Sequence, residues 1–82
     1  MPTFVPHANL AKLLGAGELN STATTVGEML DEMRSRVSAA EWNKACRATV
    51  LLNGRNVNAL RGRATPLKAE DEVWMVLPAA GG

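Results

Sequence analysis

Apolar and polar positions along the chain change period several times, and each change marks an element. Thr3 to Val5 is a short β-prone run that stops at Pro6, which offers no amide hydrogen to a sheet ladder. A first strand is predicted over residues 2–7. Leu10, Leu13 and Leu14 come before the breaks at Gly15 and Gly17, a spacing that suits a turn or one loose helical turn better than a strand. Glu18 to Thr24 is rich in Ser and Thr and reads as a second strand, able to form a hairpin with the first.

The clearest helix opens at Thr25. Thr25-Val26-Gly27-Glu28 fits a capping box, in which the threonine oxygen accepts an early amide hydrogen and the glutamate reaches back. Val26, Met29, Leu30, Met33 and Val37 fall on one face at 3.6 residues per turn, and that stripe predicts packing on a sheet. A second capping box, Ser38 to Glu41, opens a shorter piece holding Trp42, Ala45 and Cys46.

Ala48 to Leu52 is a β-compatible apolar run followed at once by Asn53-Gly54, a strong hairpin signal. Arg55 to Asn58 is the expected returning strand, Ala59 to Ala64 an irregular stretch, and Thr65-Pro66 the start of a loop ending at Glu70-Asp71. Glu72 to Leu77 (EVWMVL) reads as apolar on both faces, a strand buried in the middle of a sheet, and Pro78 ends it. The order predicts an α+β fold: a mixed sheet of four to five strands with one main helix across one face. Residues 1–77 form the domain. Pro78, Ala79, Ala80, Gly81 and Gly82 have almost no side chain with which to dock, and are expected to project as a flexible tail.

Composition narrows the function. Eighty-two residues make one core, because so short a chain buries only roughly 60% of its unfolded surface. Apolar residues are 46% and charged residues 21%, as in ordinary globular proteins. A net charge of +1, one Phe and no Tyr give little with which to attract or stack on nucleic acid. Cys46 is the only cysteine, which excludes an internal disulfide and a multi-cysteine zinc site; it is expected in the core. The N-terminus lacks the basic start and apolar run of a signal peptide, and no apolar stretch approaches the roughly 20 residues that span a bilayer. The expected compartment is the cytoplasm.

No catalytic constellation stands out. His7 is the only histidine and reads as a strand-end residue; no carboxylate pair, metal-ligand cluster or glycine-rich phosphate loop is recognisable. Trp42 and Trp74 suit core and near-core packing better than a ligand cage. Arg55, Arg61 and Arg63 are either solvated or a partner contact. The tail is more suggestive. Gly81 and Gly82 lack a Cβ, so they can thread a channel too narrow for other residues, and a terminal carboxylate made reactive by ATP would be a substrate for another protein's active site.

Three segments together carry a resemblance: TTVGEMLDEM at 24–33, VLLNGRNVN at 50–58 and TPLKAEDEVWMVLPAAGG at 65–82. In order and spacing they resemble the ubiquitin-like sulfur carriers, the family that includes the small subunit of molybdopterin synthase and the carriers of the thiamine and cysteine pathways. The resemblance implies a ubiquitin-like β-grasp fold. It also implies that an ATP- and Mg-dependent adenylating enzyme activates Gly82, that sulfur is installed there as a thiocarboxylate, and that a sulfur-accepting synthase subunit receives it. On this reading the chain has no catalytic residues, bound cofactor or metal of its own, and is a monomer when free and heteromeric in its complexes. Leu77, Pro78, Ala79, Ala80 and Gly81 match the tail that enters partner sites. Leu60 and Val76 fall where relatives present apolar groups to the activating enzyme, although both positions fit a core equally well, and Arg61 and Arg63 are further contact candidates.

Departures from the pattern lie near the start. VPHANLAKLLGAG replaces the aromatic pair and arginine of the molybdopterin branch, with Lys12 near the arginine's place, and the ending leans toward the cysteine-pathway type. A ubiquitin-like modifier joined to lysines through Gly82, or a non-covalent β-grasp interaction module, are the alternatives.

Overall fold

The computed structural model describes residues 1–77; the expected projecting tail, 78–82, lies outside them. Strands β1 (Thr3–Val5), β2 (Leu19–Asn20), β3 (Thr49–Leu52), β4 (Arg55–Asn56) and β5 (Glu72–Val76) form one mixed sheet in the order β2-β1-β5-β3-β4. The first and last strands pair in parallel, Phe4 opposite Val73, and every other pair is antiparallel. Helices α1 (Ala8–Leu14), α2 (Val26–Arg34) and α3 (Ala39–Ala45), with 3-10 turns at Val57–Ala59 and Gly62–Ala64, complete the architecture.

The main helix forms as its pattern predicts, with an adjustment at its start. The Glu28 amide donates to Thr25 Oγ1 at 3.1 Å, but the Glu28 carboxylate accepts from the amide and hydroxyl of Thr24, both at 2.7 Å. Thr25 is itself drawn into a bridge with Pro66, so the carboxylate serves the residue before the cap. Val26, Met29 and Met33 are completely buried, each contributing roughly 1.5–3 kcal/mol. They meet Phe4, Val73 and Met75 in one core. The helix ends at Arg34, short of Val37, where the amides of Arg36 and Val37 reach back only three residues and tighten the last turn. In α3 the Ser38–Glu41 capping box is complete.

Several expectations are corrected. The stretch after Pro6 is a two-turn helix. His7 caps it through Nδ1, which accepts from the Leu10 amide at 3.3 Å, and Gly15 closes it at φ +78, the left-handed conformation that favours glycine. The second strand is only Leu19–Asn20, because Ser21 turns inward. Its buried hydroxyl donates to Glu32 at 2.6 Å and accepts from the Ala23 amide. The returning strand stops at Asn56, whose side chain accepts from the Asn58 amide and starts the first 3-10 turn. The hairpin turn itself is as expected, with Asn53 and Gly54 both at positive φ.

Cys46 is exposed at the C-cap of α3 rather than in the core; Trp42 and Ala45 take the inward positions of that helix. The central strand β5 is buried on one face only. Val73 and Met75 point into the core, whereas Glu72 and Trp74 are exposed and Val76 is half-buried. Trp74, expected near the core, therefore stands on the open side of the sheet. Among the described residues no helix is long and apolar enough to cross a membrane.

Candidate functional site

Strand β5 ends at Val76 and Leu77 is the last described residue, so the surroundings of these two side chains are where the described domain ends. Two surfaces meet there. The first is the open face of the sheet. Cross-strand register aligns Val5 of β1, Trp74 of β5 and Leu51 of β3 in one row, with Val76 opposite Thr49. Trp74 is 43% exposed, and its indole Nε1–H donates to Glu72 at 3.0 Å, which fixes the ring direction along its own strand.

The second surface is a groove of about 390 Å³ between α1 and α3 that Leu77 also lines. His7 holds the two helices together. Because Nδ1 accepts from the Leu10 amide, the ring proton sits on Nε2, which donates to the Ala45 carbonyl at 3.2 Å. The neutral imidazole thus ties the start of α1 to the end of α3. Leu13 and Leu77, two of the four large apolar side chains left exposed among the described residues, both face this groove.

The contact candidates are spread over the surface. Leu77 is half-exposed just past β5 and Val76 lies on the open face, whereas Leu60, half-buried, packs against the core beside Arg61 and Pro66. Arg61 is exposed, its amide donating to Thr65 Oγ1 at 3.0 Å. Arg63 is engaged within the molecule: its guanidinium donates to Asp31 at 2.8 Å and to the Gly27 carbonyl at 3.3 Å. Close approach of the backbones makes that clip possible, since a Cβ on Gly27 would lie 3.0 Å from both the Cβ and the carbonyl oxygen of Arg63. Arg55 stands apart on the edge strand β4. Pro78, Ala79, Ala80, Gly81 and Gly82 lie outside the described residues.

At the far end of β5 a second clasp sets the strand's origin. Asp71 accepts from the Lys68 amide at 2.8 Å and from the Asn53 side chain at 2.9 Å, and these bonds hold its carboxyl below the ordinary value of 3.8. Asn53 returns an acceptor to the Glu72 amide at 2.9 Å. The β3–β4 turn and the start of β5 are therefore fixed to each other. Among the described residues no three His, Cys, Asp or Glu side chains gather as a metal site.

Sequence reasoning missed the open face and the groove. One signal was available: a single long amphipathic helix can cover only one side of a sheet, so apolar residues of alternate strand positions had to remain uncovered.

Comparisons with known proteins agree on the type of fold. The model of the ThiS family matches residues 8–82. No curated protein matches the chain by sequence. The solution structure of small archaeal modifier protein 1 from Methanosarcina acetivorans superposes with a TM-score of 0.80 at 26% identity, covering 99% of this chain and 95% of that one. A crystal structure of small archaeal modifier protein 1 from H. volcanii gives 0.63 at 26% identity, over 95% and 97% of the two chains. The crystal structure of the Amycolatopsis orientalis BexX/CysO complex gives 0.80 over the full length of both chains, at 22% identity, a likeness of fold. The five-stranded mixed sheet is that of the ubiquitin-like β-grasp proteins.

Proposed function

The chain belongs to the ThiS family, and on that premise we propose that it is a sulfur carrier whose working group is the carboxylate of Gly82. An oxygen of that carboxylate attacks the α-phosphorus of ATP in a partner's active site. Pyrophosphate leaves, and the product is a mixed anhydride with AMP. A sulfide-level donor then attacks the acyl carbon, AMP departs with the C–O bond, and a thiocarboxylate remains for delivery to an acceptor synthase. ATP and its Mg belong to the partner; the carrier contributes a reactive end and the surface by which it is recognised.

The observation that carries this reading is the family match running through Gly81 and Gly82. The geometry is consistent with it. The rigid end of β5 is flanked by Trp74, Val76 and Leu77, an apolar surface beside the root of a tail without bulky side chains. An adenylating enzyme that seats this surface holds the tail within reach of its nucleotide, converting a bimolecular encounter into an oriented one. Which pathway uses the sulfur is decided by the acceptor; the sequence leans toward the molybdopterin or cysteine type.

The test is ATP–pyrophosphate exchange by the adenylating enzyme of the same organism. Exchange that requires Gly82, and is lost when that residue alone is deleted, supports the reading. Exchange that proceeds with the Gly82-deleted chain contradicts it.

The likeness to small archaeal modifier protein 1 favours a second reading, in which a lysine amine of another protein attacks the activated Gly82 and forms an isopeptide bond. Tagged chain in cells distinguishes the two. Higher-mass bands that survive thiol reduction and vanish on deletion of Gly82 favour a modifier; their absence favours a carrier.

A further inference from the structure

The turn between β3 and β4 carries a chemically labile pair. Asparagine is a thermolabile residue, and of the asparagines in this chain only Asn53 precedes a glycine. Both Asn53 and Gly54 are exposed. Glycine lacks a Cβ, so its backbone can approach a neighbouring group more closely than that of other residues. Its amide nitrogen is the nucleophile nearest in the chain to Cγ of the Asn53 carboxamide. Attack forms the N–Cγ bond and breaks the bond from Cγ to Nδ2. The departing NH2 takes the amide proton and leaves as ammonia, and a five-membered succinimide remains. Water then opens the ring at either carbonyl, giving aspartate or its β-linked isomer.

The fold holds the reacting carboxamide on other partners. The backbone amide of Asn53 donates to the Glu72 carbonyl at 2.9 Å, which continues the β3–β5 ladder one residue past Leu52. The side chain completes the link: Oδ1 accepts from the Glu72 amide at 2.9 Å, and Nδ2 donates to Asp71 Oδ1 at 2.9 Å. Asp71 is itself fixed by the Lys68 amide at 2.8 Å. Oxygen and nitrogen of the carboxamide are thus both bound at the start of β5, and neither is bound to the turn that contains Gly54.

We infer that Asn53 is a deamidation site gated by this clasp, closed to the Gly54 nitrogen while the Asp71 and Glu72 bonds hold and reactive when they open. The product cannot rebuild the clasp. Aspartate at position 53 places a carboxylate oxygen where Nδ2 stood, against Asp71 Oδ1, so a hydrogen bond becomes a like-charge contact. The β-linked isomer adds a backbone atom to a two-residue turn, whose length sets the register of β3 and β4. Either product releases the start of β5 from the hairpin, and the chain keeps a one-way chemical record of each opening. Neither ATP nor a partner takes part, so this inference stands or falls apart from the carrier reading.

The test is peptide mapping of the full chain aged in mildly alkaline buffer, following the gain of about 1 Da in the peptide that holds Asn53-Gly54. The folded parent should deamidate more slowly than the same chain held unfolded in urea. Asp71→Ala removes the acceptor of Nδ2 and should raise the rate in the folded protein about tenfold or more. Asn53→Asp reproduces the product and should unfold at a lower urea concentration than the parent. Asp71→Ala should then cost less in the Asn53→Asp background than in the parent, because it removes one of two facing carboxylates. Equal deamidation of the folded and unfolded parent would overturn the proposal, as would a folded Asp71→Ala protein no faster than the parent. An Asn53→Asp chain as stable as the parent would overturn the claim that the product breaks the clasp.

Discussion

Gly27→Ala tests the contact that positions the segment carrying Leu60 and Arg61. Gly27 lies in the first turn of α2, buried beneath the second 3-10 turn, and its added methyl would sit 3.0 Å from the Arg63 carbonyl oxygen and Cβ. One of those atoms is backbone, so relief requires moving the turn. Overpacking of this kind costs about 1–3 kcal/mol, and displacement also weakens the Arg63 bonds to Gly27 and Asp31. The Arg63–Asp31 pair is well exposed, so its loss adds less than about 1 kcal/mol. Alanine returns at most about 0.5–1 kcal/mol through its better helix propensity. The net expectation is destabilisation by about 1–2 kcal/mol, read in urea unfolding as a midpoint lower by about 1 M. Arg63→Gly removes the opposing Cβ, so the double variant should be more stable than the sum of the single effects predicts. A Gly27→Ala protein as stable as the parent, with no coupling to Arg63→Gly, would show that the helix and the turn are not in firm contact.

Asp71 links stability to acid. Its carboxyl is lowered, first by the Lys68 amide and then by the Asn53 side chain, so its contribution is full above the unfolded value and is lost as pH falls through the folded one. Glu28, lowered chiefly by the Thr24 hydroxyl, acts in the same direction and window. The urea midpoint of the parent should fall below about pH 4–5 more steeply than that of Asp71→Asn; parallel curves would refute the assignment. Ser38→Ala removes the α3 capping box and should cost about 1 kcal/mol, measured by the same unfolding curve. Trp74→Ser should cost about 1 kcal/mol or less in stability, through lost cross-strand contacts with Val5 and Leu51. The same change should raise the carrier's KM for adenylation about tenfold or more if the open face is where the partner sits. An unchanged KM would remove Trp74 from the contact surface.

Legibility in the sequence followed how local each determinant is. The Ser38–Glu41 box, the Asn53-Gly54 turn and the stripe from Val26 to Met33 depend on residues a few positions apart, and each appears in the structure where the pattern places it. Ser21 was less readable because its buried hydroxyl is claimed by Glu32, eleven residues away, and that bond cuts β2 short. EVWMVL looked buried on both faces because the alternation of Trp74 and Val76 with Val73 and Met75 has no polar partner except Glu72. The side open to solvent is decided by which face the single long helix covers. Cys46 looked like a core residue by type, but the helical phase set by Trp42 and Ala45 turns it outward. The α1–α3 groove depends on His7 bonding across 38 positions to Ala45, a pairing that no periodicity encodes.

The proposed carrier chemistry is read from the pair Gly81-Gly82 and would need no constellation assembled by the fold.

The most direct test is the intact mass of the chain after incubation with its adenylating enzyme, ATP, Mg and a sulfide donor. A carrier working through Gly82 should gain about 16 Da, one oxygen exchanged for sulfur, located at Gly82 by fragmentation and absent when Gly82 is deleted. An unchanged mass, with an enzyme shown to form the adenylate, would contradict it.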